Sequence, residues 1–367
     1  MKFVFVGYEY SGEFSDPQAW LVRINAYTGI LEALGKENEV ISIEQIAHEG
    51  AVFQNDVHYH FKRFSKNALR FFPRSLHRYI QKLNPDVVFI QGFHRPLPVI
   101  QLRLLLGNSV KIIVQNHAEK PFTGIRKLLQ QLADRCVNAY LFASKAMGQQ
   151  WVTAGNLGSA EKIHEIMEVS SVFYPIDRFE AKAHTGVSGE QVFLWVGRLN
   201  QNKDPLTVVR AFLKYAHTAP EARLYMVYHT DELLLHLKAL IDSEPNVGHQ
   251  ITLIGKVPHA ALLYWFNSAD FILSGSHYEG SGTSVCEAMS CGCIPLVTDI
   301  LSFRMITNNG KCGMLYQAGN EEALVDVLMQ TQHMNLATKR QSALNYFREN
   351  LSFQAIARQI QSIASSL

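Results

Sequence analysis

Short runs of β-branched and aromatic residues alternate with helix-period segments along most of the chain, and that alternation points to α/β layers built on parallel sheets. The first series of candidate strands is Phe3–Val6, Val40–Ile43, Val87–Ile90, Lys111–Val114 and Ala139–Phe142. A second series starts at Val192: Val192–Val196, Leu224–Val227, Ile251–Ile254, Phe271–Leu273, Ile294–Val297 and Met314–Tyr316. Helical spacing fits 18–35, 125–135 and 145–154 in the first half, and 205–217, 231–242, 259–268, 285–291 and 321–332 in the second. A chain of 367 residues has room for two domains. The expected division is a first domain over 1–174, a linker over 175–190, a second domain over 191–334 and terminal helices over 335–367 that cross back to the first domain. The linker reading rests on proline, glycine, mixed charge and little periodicity. Two doubly wound domains in tandem would face a central cleft with their strand C-termini, the edge where such sheets bind ligands.

Hydrophobic content of 47% suits globular cores, and a net charge of +2 by itself asks for no nucleic-acid partner. The charge is uneven, however. Residues 1–60 hold three Lys and Arg against nine Asp and Glu, whereas residues 61–127 hold thirteen against two. Five cysteines at irregular spacing argue against a disulfide framework and for a reducing compartment, and Cys286, Cys291, Cys293 and Cys312 lack the paired spacing of a zinc knuckle. Met1–Val6 reads as a buried strand rather than a signal peptide, and no apolar run approaches the ~20 residues of a membrane span.

Two segments carry chemistry. In Tyr278–Met289, Y-E-G-S-G-T-S-V-C-E-A-M, Glu279 and Glu287 are separated by seven residues, with a small-residue loop between them. An apolar run precedes the loop and a helix follows, so backbone amides at the helix start can receive phosphate oxygens while the carboxylates accept from sugar hydroxyls. In Phe193–Asp204, a buried strand ends at Gly197, and Arg198 and Lys203 lie on the loop before a helix. Together they could neutralise a diphosphate leaving group. Taken singly, each feature has an ordinary reading: surface cations at a strand end, or a carboxylate placed by a helix dipole.

V-G-R-L-(x)3-K about 80 residues before E-(x)7-E resembles the retaining glycosyltransferases of family 4, the group 1 glycosyltransferases of GT-B fold. The likeness continues through Glu287–Val297, E-A-M-S-C-G-C-I-P-L-V, and more loosely across 192–330. In the first half, Asn84–Phe89, Val114–His117 and Ala133–Arg135 followed by Ala143–Lys145 look like weaker family segments. The resemblance implies that Arg198 and Lys203 bind the donor diphosphate, Glu279 holds the transferred sugar and Glu287 holds the ribose hydroxyls. It places Gly197, Gly280, Ser281, Gly282, Thr283 and Ser284 along the donor, and Val257 against the base. His117 would sit near donor sugar and acceptor. The turn after the first strand, Gly7–Phe14, departs from the family's glycine-rich form, with Gly12 the candidate for close approach to acceptor or phosphate. Ser281 stands where an aromatic is common, and Ile300–Arg304 replaces a glycine-rich segment.

Phe61–Pro85 has no acidic residue and interleaves aromatics with Lys62, Arg63, Lys66, Arg70, Arg74, Arg78 and Lys82. That composition makes an anionic membrane surface a candidate partner, beside the plainer reading of a solvated cationic helix over Arg74–Leu83 split off by Pro73. No nucleic-acid-binding module is recognisable.

The expectation is therefore a cytoplasmic enzyme, peripheral on the inner membrane face if 61–85 touches lipid. It would transfer a hexosyl-type sugar from a UDP-, GDP- or ADP-linked donor to a glycan or lipid-linked acceptor with retention. No metal is expected, since Arg198 and Lys203 rather than an Asp-x-Asp pair would meet the phosphates. Alternatives are a non-catalytic nucleotide-sugar-binding subunit, a sugar-nucleotide epimerase or a phosphorylase on the same fold. A nicotinamide oxidoreductase lacks the G-x-G-x-x-G expected after the first strand.

Overall fold

The computed structural model describes residues 1–93 and 95–367 and divides into two compact units, Met1–Ser170 with Phe353–Leu367, and Ser171–Ser352. The first is built on β1 (Lys2–Gly7), β2 (Glu39–Glu44), β3 (Gly50–Gln54), β4 (Val57–Phe61), β5 (Val87–Gln91), β6 (Lys111–Gln115), β7 (Ala139–Phe142) and β8 (Ile163–Glu165). Their order is β3-β4-β2-β1-β5-β6-β7-β8, all parallel except the β3–β4 pair. The central strands are buried nearly end to end, as strands covered by helices on both faces must be. The crossover helices Arg74–Lys82, Pro96–Leu106 and Gly124–Asp134 pack side by side. Asn25–Gly35 packs with the C-terminal Phe353–Ser366.

The second unit carries β9 (Gln191–Gly197), β10 (Ala222–Tyr228), β11 (Ile251–Gly255), β12 (Phe271–Ser274), β13 (Ile294–Thr298) and β14 (Met314–Tyr316), wholly parallel, in the order β11-β10-β9-β12-β13-β14. Phe193, Trp195, Phe212, Tyr215 and Phe271 fill the core between this sheet and the helix Pro205–Ala216. The chain leaves β9 toward β10 and β11, then returns to start β12 on the other side of β9. That reversal puts the topological switch point between β9 and β12.

Four expectations differ from the structure. The segment read as a linker folds into the helix Arg178–Thr185, capped by Asp177 and closed by Gly186 at φ 69. It packs on Leu262–Ser268, and Arg178 bonds Asp270 at 3.0 Å, so its low periodicity reflected a short helix with a single buried residue, Ala181. Of the terminal helices, Leu336–Tyr346 stays in the second unit and only Phe353–Ser366 joins the first. The helix expected over 18–35 is two, Pro17–Arg23 and Asn25–Gly35, meeting at a non-helical Ile24. The hairpin β3–β4 and the helix Pro96–Leu106 had no counterpart among the expected elements.

Candidate active site

At the switch point of the second unit, β9 and β12 are hydrogen-bonded neighbours, so the loops that follow them share one sheet edge. Arg198 leaves β9 exposed, and its guanidinium has no hydrogen bond or ion pair among the described residues. Lys203 is half-buried, and its Nζ bonds Glu279 Oε1. The two residues assigned to diphosphate and sugar thus meet each other directly, across 76 positions of sequence.

The two loops are fastened along their length. Asn202 donates to the Tyr278 carbonyl at 3.0 Å, His277 donates its amide to the Asn202 carbonyl at 2.8 Å, and His277 Nε2 lies 3.2 Å from Asp204 Oδ2. Gly275 is required for this approach, because a Cβ there would lie 2.9 Å from the Asp204 carbonyl oxygen. Thr298 Oγ1 and Tyr316 Oη donate to the Ser276 and Ser274 carbonyls at 2.5 and 2.9 Å, fixing the path out of β12 from below.

The helix Thr283–Ser290 opens at Gly282, which sits in the left-handed region at φ 57 with no side chain capping the first turn. A Cβ on Gly282 would come 2.6 Å from Phe303, the buried aromatic of the segment that replaces the family's glycine-rich stretch. Val285 and Cys286 donate back to the Gly282 carbonyl, while the Thr283 and Ser284 amides have no acceptor among the described residues. These open amides and the positive end of the helix dipole favour an anion. Ser281 Oγ lies 3.4 Å from Thr283 Oγ1.

Glu287 is the fifth residue of that helix, past its first turn, so the dipole explanation for a carboxylate at the helix start does not apply. It is 5% exposed, and its Oε1 accepts from His259 Nε2 at 2.8 Å. His259 follows β11 in the same turn as the half-buried Val257, and its ring packs 5.0 Å from that of Phe173. The sequence offered no signal for this pairing beyond an imidazole two residues past Val257. The buried cysteines are structural thiols: Cys293 Sγ bonds the Phe266 carbonyl at 2.9 Å, and burial pushes the Cys291 thiol up to about 12.

In the first unit, His117 follows β6, and both of its ring nitrogens are engaged. Nδ1 bonds Glu168 Oε2, and Nε2 lies 2.7 Å from Gln91 Oε1 at the end of β5. Its amide donates to Glu119 Oε2 at 2.6 Å. Burial acts to lower the imidazole pKa, but the hydrogen bond and charge of Glu168, with the charge of Glu119, outweigh it and hold the value raised. The loop after β1 is pinned: Ser11 donates its amide to the Gln45 carbonyl at 2.9 Å, and Tyr8 Oη and His77 Nε2 share a hydrogen bond at 3.0 Å. Gly12 leaves room for the Tyr10 ring, which a Cβ would meet at 2.5 Å. Its freedom from a side chain is thus already used inside the loop.

The model of the group 1 glycosyl transferases matches residues 177–349, most of the second unit. The chain resembles the group 1 glycosyltransferases. It is 22% identical to the lipopolysaccharide core biosynthesis mannosyltransferase LpsB of Rhizobium meliloti, over 74% of this chain and 76% of that one. Among solved structures, a glycosyltransferase from Rickettsia africae matches with a TM-score of 0.75 at 16% identity, covering 99% of this chain and 97% of the other. Anabaena HepE in complex with UDP matches with 0.72 at 15% identity, covering both chains fully at 100%. The fold is GT-B. Among the described residues no helix is long and apolar enough to cross a membrane.

Proposed function

We propose that the chain is a retaining glycosyltransferase that moves a hexosyl-type sugar from a nucleotide-sugar donor to a hydroxyl of a glycan or lipid-linked acceptor. The observation that carries this reading is the convergence of Arg198, Lys203, Glu279 and the open helix start at Gly282 on one sheet edge, fastened before any ligand arrives. Likeness to a mannosyltransferase of lipopolysaccharide core synthesis supports the transferase class and a glycan-type acceptor.

In this reading the donor diphosphate lies against Arg198, Lys203 and the Thr283 and Ser284 amides, and Glu287 takes the ribose hydroxyls. The anomeric carbon–oxygen bond to the diphosphate breaks as charge develops on the leaving oxygen, which the two cations and the amides stabilise. The acceptor oxygen bonds the anomeric carbon on the face the diphosphate leaves, and its proton passes to a diphosphate oxygen. Glu279 is held by Lys203 and orients the sugar hydroxyls. The phosphate charge is met by Arg, Lys and backbone amides, so this mechanism asks for no metal. The basic segment 61–85 would bring the enzyme to an anionic membrane from the cytoplasmic side.

The test is incubation of the protein with UDP-, GDP- and ADP-sugars, mannosyl donors among them, and candidate acceptors. Released nucleoside diphosphate is followed, and the product's anomeric proton coupling is read by NMR. Transfer with the donor's anomeric configuration is expected. An inverted product would remove the retaining mechanism, and no turnover with any donor would remove the transferase reading.

A further inference from the structure

The helix Gly124–Asp134 is turned inside out. Its buried positions include Gln130, 3% exposed, and Asp134, 8% exposed, while Ile125, Leu128 and Leu132 are 76%, 59% and 50% exposed. Those three residues recur at i, i+3 and i+7 and so form one stripe along the outer side of the helix. The buried polar groups have partners in the unit: Gln130 Nε2 reaches the Tyr140 hydroxyl at 3.4 Å, Asp134 Oδ2 accepts from the Gly158 amide at 3.0 Å, and Asp134 Oδ1 faces Lys162 Nζ at 3.6 Å without a hydrogen bond. The inverted pattern is thus built into the packing, and an apolar stripe is left facing water with no covering partner among the described residues.

The stripe does not stand alone. On the adjoining helix Leu104 is 80% exposed, and beyond it Phe71 and Phe72 are 48% and 60% exposed. A cavity of about 340 Å³ opens between Phe72, Arg74, Arg78 and Leu104. Exposed cations border these side chains: Arg74 and Arg78 line the cavity, and the Arg70 guanidinium lies 5.2 Å from the centre of the Phe71 ring. From residue 61 to 135 the acidic groups are Asp86, Glu119 and Asp134, and each accepts a hydrogen bond from backbone amides within the unit. The layer therefore presents large apolar side chains beside a surplus of positive charge.

We infer that Gly124–Asp134, with Leu104 and Phe71–Phe72, is a membrane-docking platform for an anionic bilayer, whose acyl boundary takes the apolar stripe and whose headgroups take the flanking arginines. The inference extends the membrane contact proposed for 61–85 and rests on it for the charged half; it needs neither donor nor catalysis. A second copy of the chain is a poorer occupant, because an isologous contact would bring like charge against like charge.

The experiment is co-sedimentation of the full chain with vesicles of phosphatidylglycerol mixed with phosphatidylcholine, and with phosphatidylcholine alone. Wild type should bind the anionic vesicles and release with salt. Substituting Ile125→Ser, Leu128→Ser and Leu132→Ser together should lower the partition by roughly tenfold or more. Nucleoside diphosphate affinity and thermal melting should stay at wild-type values. Equal vesicle binding by wild type and the triple variant would overturn the platform, and so would a wild-type dimer that the triple variant breaks into monomers. Failure of the donor reading would appear instead as absent nucleotide binding with vesicle binding intact.

Discussion

Arg198 and Lys203 differ in what they do before a ligand arrives. Arg198 is exposed and its guanidinium is unbonded among the described residues, so Arg198→Ala should cut turnover by roughly 10²–10³, as loss of a transition-state donor does, and leave the melting temperature unchanged. Lys203 neutralises a Glu279 whose side chain is 13% exposed, so Lys203→Ala should lose turnover and also lower the melting temperature, because it strands a part-buried carboxylate. Steady-state kinetics beside thermal melts separate the two roles, and identical melts would deny the ion pair a structural part. His259 acts through Glu287: it touches the carboxylate proposed to take the ribose, so His259→Ala should weaken nucleoside diphosphate binding about tenfold with little change in kcat. Calorimetric affinity equal to wild type, where Glu287→Ala binds poorly, would make His259 a bystander.

The element that sets the site is the start of the helix Thr283–Ser290. Gly282→Ala should cost about 1 kcal/mol or more, because a side chain at φ 57 is strained and its Cβ would press on Phe303; denaturant unfolding reads this, and unchanged stability would contradict it. In the first unit, burial lowers the pKa of His77 to about 4, and its neutral ring shares a hydrogen bond with the Tyr8 hydroxyl. The unfolded chain takes up this proton near the ordinary histidine value, so stability is retained above about pH 6.5 and lost as pH falls toward 4. His117 has the opposite sign. Its raised value contributes stability below the ordinary histidine value, and that contribution is lost as pH rises through the folded value. Melting curves across pH should therefore flatten on the acid side in His77→Gln and on the alkaline side in His117→Gln. The hairpin β3–β4 shows why some elements escaped the sequence reading. Its turn residues Asn55 and Asp56 sit at φ 48 and 64, a legible hairpin signal, but the flanking strands carry His58, His60 and Gln54 and lack the apolar runs of the others.

At the scale of the whole molecule, the parallel α/β class and the central strands of both units were legible because strands buried on both faces spell themselves as apolar runs. The cations of the β9 loop and the glutamates of the β12 loop were legible as motifs. Their meeting was not, because the adjacency of β9 and β12 is a property of strand order, which local sequence does not state. His259, Glu168 and Asn202 were missed for the same reason: each matters through a partner at least 28 positions away. The outward turn of the apolar stripe on Gly124–Asp134 was hidden too, since an amphipathic period does not say which face turns inward. Calorimetric titration of UDP, GDP and ADP into the wild-type chain and into Arg198→Ala asks whether the β9 and β12 loops form a nucleoside diphosphate site. One of the three nucleotides should bind the wild type, and Arg198→Ala should weaken that binding tenfold or more. Binding of none of the three, or equal affinity in both proteins, would contradict such a site.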